Sequence, residues 1–359
     1  MGRRPRYRPD PRRFGTARDL ASRARVHAPD GTVERVTAPR NGVLVVGAGV
    51  IGLTTAITFA EAGVPATIWA ADEVTAITSY AAGASWGVHL LSPRGRVAAW
   101  SAATLDVLRT LATDPTTGVR ITAGIEASRT PIAPPDWGAP VDGMRECTPE
   151  ELPSGYVIGW HQRIPIVEMP VYLGYLRARF EAAGGVIERH RIAALTETAG
   201  IVPVVVNCTG VGASDLTGDR DLVPIRGQVV IVANPGITEF FADGPDDSTD
   251  LTYWFPHRDT VLLGGTAVVG DWNRVPDPAV AAAIVARCAA VEPRFATAEV
   301  VEHRVGLRPG RPEPRLEVQT RDDGTRLIHN YGHGGSGVTL AWGCAAEVAT
   351  LAGLAGRSH

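Results

Sequence analysis

The stretch Val43-Leu44-Val45-Val46-Gly47-Ala48-Gly49-Val50-Ile51-Gly52 decides the fold. Its first four residues form a continuous apolar run, the pattern of a parallel strand covered on both faces. They lead directly into G-x-G-x-x-G, and a helical face follows at Leu53, Ile57 and Ala60, with Gly63 as a stop and Pro65 beyond it. Each glycine has its own task in such a turn. Gly47 makes the tight bend, Gly49 lets a pyrophosphate approach the backbone, and Gly52 lets the helix pack close to the strand. The phosphates then sit on the positive end of the helix. A second strand, Ala66-Thr67-Ile68-Trp69-Ala70, leads to Asp72, 20 residues after Gly52, the spacing of a carboxylate that holds an adenosine ribose. Glu73 is the neighbouring alternative. The reading is a bound dinucleotide, with NAD and FAD both open.

Composition narrows the chemistry around that turn. The 359 residues suffice for two domains sharing a cleft, and 40 Gly with 27 Pro point to many turns and short elements. All 35 basic residues are Arg. Mechanisms that need a Lys amine are therefore excluded: a PLP or substrate Schiff base, a P-loop Lys, a Ser-Lys dyad. Residues 1–40 hold 11 Arg against four acidic residues, a charge of +7, so the remaining chain carries −10. An acidic body argues against nucleic acid as a partner. The leader itself cannot bury enough apolar surface to order and is expected to be a flexible tail. Arg12-Arg13-Phe14 has no apolar export segment after it, and no stretch is long and uncharged enough to span a bilayer. The four cysteines, Cys147, Cys208, Cys288 and Cys344, lie far apart with neither disulfide nor metal spacing, so no metal is expected and a reducing cytoplasm fits.

Further along, periodicity predicts helices over 97–112 and 171–183, with a Pro-rich stretch between them near Pro131 to Pro140. Strands are expected over 185–191 and 201–207, returning to the nucleotide sheet. Val229 to Val232, Thr252 to Phe255 and Val261 to Leu263 then read as an antiparallel sheet.

At this point the chain resembles a known family. Gly47 to Gly52, Ala81-Ala82-Gly83, Val206-Asn207-Cys208-Thr209-Gly210, Arg226-Gly227-Gln228, Leu263-Gly264-Gly265-Thr266 and Gly270-Asp271-Trp272-Asn273 follow the order found in the D-amino-acid oxidase family, FAD-dependent oxidases that include D-aspartate oxidase. Most specific are Val305-Gly306-Leu307-Arg308-Pro309-Gly310-Arg311-Pro312 and His329-Asn330-Tyr331-Gly332-His333-Gly334-Gly335-Ser336-Gly337-Val338-Thr339. The resemblance implies an α/β fold: a Rossmann-like FAD-binding domain, about residues 41–90, 185–225 and 300–355, intertwined with an antiparallel-sheet substrate domain, about 91–184 and 226–299. It also implies FAD contacts at Gly47, Gly49, Val50, Ile51, Gly52, Asp72, Thr78, Ser79, Gly83, Ile192, Thr209, Gly334, Gly335, Gly337, Val338 and Thr339. Backbone N–H groups of the last glycine loop would approach the flavin edge where negative charge grows on reduction.

The same resemblance gives the catalytic positions. Arg308 is expected to clamp a substrate carboxylate bidentately, Tyr253 to support it with its hydroxyl, and Gly335 to offer its carbonyl to the amine. The partners are then a D-amino acid and O2, with H2O2, ammonia and a 2-oxo acid as products, and with room for a homodimer. His89 falls near the pocket wall as a structural residue. Two places depart from the family: Thr249 stands where mammalian D-amino-acid oxidases have a second Tyr, and Ala242 where D-aspartate oxidases have an Arg. With Asp243, Asp246, Asp247 and Asp250 nearby, like-charge repulsion is expected to favour neutral D-amino acids over D-aspartate. A D-aspartate oxidase, a glycine oxidase, a quinone-linked D-amino-acid dehydrogenase and a non-catalytic FAD-binding protein are the alternatives.

Overall fold

A computed structural model describes residues 41–87, 91, 94–134, 141–244 and 249–353, all within one compact unit, Ala38–His359. The leader 1–40, His89, most of the Pro-rich stretch, Asp246 and Asp247 lie outside the described residues.

Two sheets organise the chain. The first has six strands in the order Arg315–Thr320, Arg326–Tyr331, Val204–Asn207, Val43–Val46, Ala66–Ala70 and Val186–Arg189. Every neighbouring pair is parallel except the hairpin of the first two. Val43–Val46 is buried throughout because alternate residues feed different cores: Val43 and Val45 enter the large cluster, Leu44 and Val46 a smaller one on the opposite face. That is the physical meaning of its unbroken apolar run. The helices Val50–Glu61 and Gly337–Leu351 cover the larger cluster with Arg96–Leu111, whose backbone at Trp100 lies so close to Gly343 that a Cβ there would sit 2.3 Å from it.

The second sheet runs Val268–Val269, Val223–Ala233, Thr260–Thr266, Asp250–Pro256, Phe240–Asp243, Val119–Ser128, Ile158–Val167 and Ala84–Ser85. Val300–Gly310 pairs along Val223–Ala233, and Asp142–Glu146 pairs with Ile158–Val167. All of these pairs are antiparallel except Phe240–Asp243 with Val119–Ser128. The predicted helices are observed as Arg96–Leu111 and Met169–Ala182. Three long elements were not foreseen. Val119–Ser128 and Ile158–Val167 break period-two alternation, the first with Gly124, where a Cβ would lie 2.2 Å from the Phe240 carbonyl oxygen. Pro278–Val291 is Ala-rich on every side and shows little helical periodicity; it is started by Asp277, whose carboxylate accepts from Ala279 N at 2.8 Å. Ala84–Ser85 and Val300–Gly310, inside the segments expected to hold FAD, belong to the larger sheet. No helix among the described residues is long and apolar enough to cross a membrane.

Candidate active site

The glycine turn has the local geometry its spacing predicts. Gly47 has φ +111°, and a Cβ there would lie 2.4 Å from the Cys208 carbonyl oxygen. A Cβ on Gly52 would lie 1.9 Å from the Gly47 carbonyl oxygen, so helix and turn meet without space for a methyl group. Gly49 differs: its Cβ position has only Ser79 Oγ near it, at 3.1 Å. The helix opens with no side-chain cap on Gly49, and Val50 N donates to Ser79 Oγ at 3.0 Å.

A cavity of about 600 Å³ begins at this turn and reaches the larger sheet. Its wall takes in Gly47, Gly49, Val50 and Ile51 with Asp72, Ile192 and Thr209; Thr78, Ser79 and Gly83; and Gly334, Gly335, Gly337, Val338 and Arg308, where a Cβ on Gly337 would lie 4.0 Å from Val50 Cγ1. The wall does not include Gly52, Tyr253 or Thr339. Gly52 acts through packing alone. Thr339 exchanges both hydrogen bonds with Gly87, its Oγ donating to the carbonyl at 2.7 Å and accepting from the amide at 3.2 Å, which ties the last helix to the segment after Ser85. Several polar groups expected on the cofactor are engaged within the protein. Thr78 Oγ donates to Leu307 O at 2.9 Å and accepts from Leu307 N at 3.2 Å, which fixes the backbone beside Arg308. Thr209 Oγ donates to Asn207 Oδ1 at 2.7 Å, and Asp72 accepts from Arg191.

At the far end the motif pieces that looked like scattered glycines acquire one purpose. Arg308, on Val300–Gly310, donates from Nη1 to Thr266 O at 2.9 Å. Its guanidinium occupies the space of an absent side chain: a Cβ on Gly227 would lie 2.3 Å from Nη1. Tyr253 lies in the same way over Gly264 and Gly265, whose Cβ positions would be 1.9 Å from its Cζ and 2.8 Å from its hydroxyl. A Cβ on Gly83 would lie 3.3 Å from the same ring, so the cofactor segment passes close to it. Arg308 stands beside Tyr253: burial pushes the phenol up, and the guanidinium opposes that push. The structure thus brings Arg308 and Tyr253 together, with Tyr253 standing behind the arginine instead of in the cavity wall.

Ala242 stands directly opposite Tyr253 on the neighbouring strand, and no arginine takes its place. Of the four loop acids expected to repel an acidic substrate, Asp243 and Asp250 lie among the described residues, and both are paired. Asp243 accepts from the Tyr156 hydroxyl at 3.0 Å and lies 3.7 Å from Arg129, while Asp250 lies 3.5 Å from Arg287. Paired acids of this kind exert little net field on a substrate. Thr249 is exposed, and its carbonyl accepts from Ala267 N.

Two groups that the sequence reading passed over also line the cavity. Asn330 donates to Thr55 Oγ1 at 3.2 Å but leaves Oδ1 buried without a partner, and His333 leaves Nε2 in the same condition. Burial alone lowers the His333 imidazole to about 4. Both residues sit in the quoted motif, where attention to its glycines hid them. Among the described residues no group of three or more His, Cys, Asp or Glu could hold a metal ion.

A parallel sheet with a glycine turn, joined to an antiparallel sheet that presents an arginine across one cavity, defines a dinucleotide-dependent oxidoreductase. The chain belongs to the FAD dependent oxidoreductase family, whose pattern matches residues 42–351. It is 48% identical over 313 residues to a D-amino-acid oxidase of Rubrobacter xylanophilus, covering 87% of this chain and 96% of that one. It is 35% identical over 323 residues to a D-aspartate oxidase of Homo sapiens, covering 86% and 94%. The fold is similar to that of a glycine oxidase from Geobacillus kaustophilus, with a TM-score of 0.73 at 19% identity over 87% of this chain and 94% of that chain. FAD is the cofactor of this family, and the residues present fit it. The Cβ position of Gly337 has nothing nearer than Val50 Cγ1 at 4.0 Å, two residues of the wall carry orphaned buried polar atoms that a polar ligand would satisfy, and the last helix begins at the wall with its positive end.

Proposed function

We propose that this protein oxidatively deaminates neutral D-amino acids to 2-oxo acids, with release of ammonia and H2O2. The single observation that carries the reading is Arg308, held at the cavity by Thr266 O and set beside Tyr253, with its guanidinium in space that Gly227 vacates. The relatives named D-amino-acid oxidase support it.

Arg308 binds the substrate carboxylate as a planar, always-charged fork. Tyr253 keeps that fork oriented, and the Gly335 carbonyl accepts from the amine. With carboxylate and amine both fixed, only one enantiomer can direct its Cα–H into the cofactor side of the cavity. FAD held by the Gly47 to Gly52 turn and the Gly334 to Gly337 loop would supply the two-electron oxidant for Cα, with O2 as the final acceptor and H2O2 as its product. The amine nitrogen then forms the C=N bond of a free imine, and water converts it to the 2-oxo acid and ammonia. Ala242 offers no cation to a side-chain carboxylate, which supports neutral substrates over D-aspartate. We also propose that the six-stranded sheet is the centre of the FAD half and the larger sheet that of the substrate half, and that four buried, free cysteines suit a reducing cytoplasm.

The test is peroxide release from a panel of D- and L-amino acids by wild type and Arg308→Ala. Loss of a buried, charge-assisted clamp is expected to lower kcat/KM on D-alanine by about a hundredfold or more. Equal rates on L-alanine, or an Arg308→Ala variant as fast as wild type, would overturn the reading.

A further inference from the structure

The side chains of two sequence motifs, Arg226-Gly227-Gln228 and Gly270-Asp271-Trp272-Asn273, have no task in the reaction as described. The structure joins them. Gly227 faces the Arg308 guanidinium, and side chains alternate along a strand, so Arg226 and Gln228 project from the other face of Val223–Ala233. There they hold the loop 270–277, which leads into the helix Pro278–Val291. Arg226 donates from Nε to Asn273 O at 2.8 Å and from Nη2 to Val275 O at 2.9 Å, with Asp271 3.6 Å away. Gln228 donates from Nε2 to Asp277 O at 2.8 Å, and its Oε1 accepts from Asp277 N and from Arg226 Nη2, each at 2.9 Å. Both side chains are buried. Moving the loop would leave their polar groups unsatisfied, so the loop is fixed in place.

A loop stapled this firmly presents two unusual side chains. Trp272 and Arg274 both line the cofactor cavity, and both are exposed, Trp272 by 51%. Arg274 reaches the segment that touches the glycine turn. Its Nη1 donates to Ala76 O at 3.3 Å, and three residues further on Ser79 Oγ accepts from Val50 N, at the start of the helix where the phosphates are expected. Among the described residues three guanidinia line the cavity, those of Arg191, Arg274 and Arg308. Arg191 is engaged with Asp72, and Arg308 stands beside Tyr253 as the substrate clamp. Arg274 forms no ion pair among the described residues and has no part in the reaction. The pyrophosphate of FAD carries two negative charges, and the helix end meets them with partial charge alone.

We infer that Arg274 is the counter-ion of the FAD pyrophosphate, carried to the cofactor side by a strap, residues 270–277, that Arg226 and Gln228 hold to the larger sheet. An arginine suits this place because its planar fork meets two phosphate oxygens at once and keeps its charge in water. The inference rests on FAD as the cofactor and is independent of which amino acid is oxidised. It also gives the two motifs one purpose. Three successive residues of Val223–Ala233 make room for the substrate clamp on one face and hold the cofactor strap on the other.

The test measures the Kd of FAD from the rise in flavin fluorescence as holoenzyme is diluted, for wild type, Arg274→Gln and Arg274→Lys at low and at high NaCl. The side chain is exposed, so both variants are expected to fold. At low salt Arg274→Gln should raise Kd about tenfold. The gap should narrow at high salt, which screens an exposed pair in the wild type. Arg274→Lys keeps the charge without the fork and should fall between the two. ADP-ribose, which has the same pyrophosphate, and adenosine, which has none, are then compared as competitors that displace FAD. Arg274→Gln should weaken the first by a similar factor and leave the second unchanged. An unchanged Kd in that variant, a loss equal at both salt levels, or a loss shared by adenosine overturns the inference. A wild type that holds no flavin and takes none up removes FAD binding as a whole, an outcome distinct from these.

Discussion

The turn at Gly47 to Gly52 and the wall at Arg308 both depend on missing Cβ atoms, but for opposite reasons. At the turn the glycines make room for backbone: the Cβ of a residue at 52 would lie 1.9 Å from a carbonyl oxygen of the same turn. At the wall they make room for side chains, since Gly227 lies under the Arg308 guanidinium and Gly264 under the Tyr253 ring. A backbone clash can be relieved only by moving the turn. A clash with a guanidinium is relieved by moving the functional group and leaving the fold intact. The cofactor end is therefore rigid and intolerant, while the substrate end can fail without unfolding.

Gly52→Ala gives the largest effect expected from this difference. Overpacking against backbone should cost about 3 kcal/mol and displace the helix N-terminus, so the variant purifies with little bound flavin and a lowered Tm. Full flavin content and wild-type Tm would show that the turn yields more easily than its geometry indicates. Gly227→Ala should be milder and different in kind. Arg308 shifts, kcat/KM falls by about a hundredfold, mainly through KM, and flavin content stays at the wild-type level. Release of flavin by this variant would show that the two ends are coupled, and would break the contrast.

The same contrast explains what could be read from the sequence. The turn is local: strand, three glycines, helix and second strand fit within Val43 to Asp72, and each residue's task follows from its neighbours in the chain. The wall is not local. Gly227, Tyr253, Gly264 and Arg308 come from four strands, and only the pairings of Val223–Ala233 with Thr260–Thr266 and Val300–Gly310, and of Asp250–Pro256 with Thr260–Thr266, bring them together. The resemblance supplied Arg308 and Tyr253 but gave no reason for the glycines beside them. The pairing of Asp243 and Asp250 was hidden for a related reason, since Arg129, Tyr156 and Arg287, which partner them, are distant in sequence.

The smallest predicted effect concerns His333, in the cavity wall. Its imidazole is neutral in the fold because burial lowers it from 6.5 to about 4. In the unfolded chain the same group takes a proton near 6.5. Between these values the unfolded state binds more protons, so this contribution to stability is present above pH 6.5 and is lost as pH falls toward 4. The loss is about 1.4 kcal/mol per pH unit across that window. Glu126, raised by burial from 4.5 to about 7, has the opposite sign: it is fully accommodated below 4.5 and costs stability as pH rises to 7. The two slopes partly cancel in the wild type, so its Tm alone cannot separate them. His333→Leu removes only the first, and its Tm should decline less than that of wild type from pH 6.5 to 4. Parallel declines in the two proteins would mean that the acid sensitivity comes from ion-paired carboxylates such as Asp219, whose carboxyl is held low by Tyr331 and Arg311 against the effect of burial. The buried imidazole at the cavity would then be stabilised by a partner its surroundings do not supply.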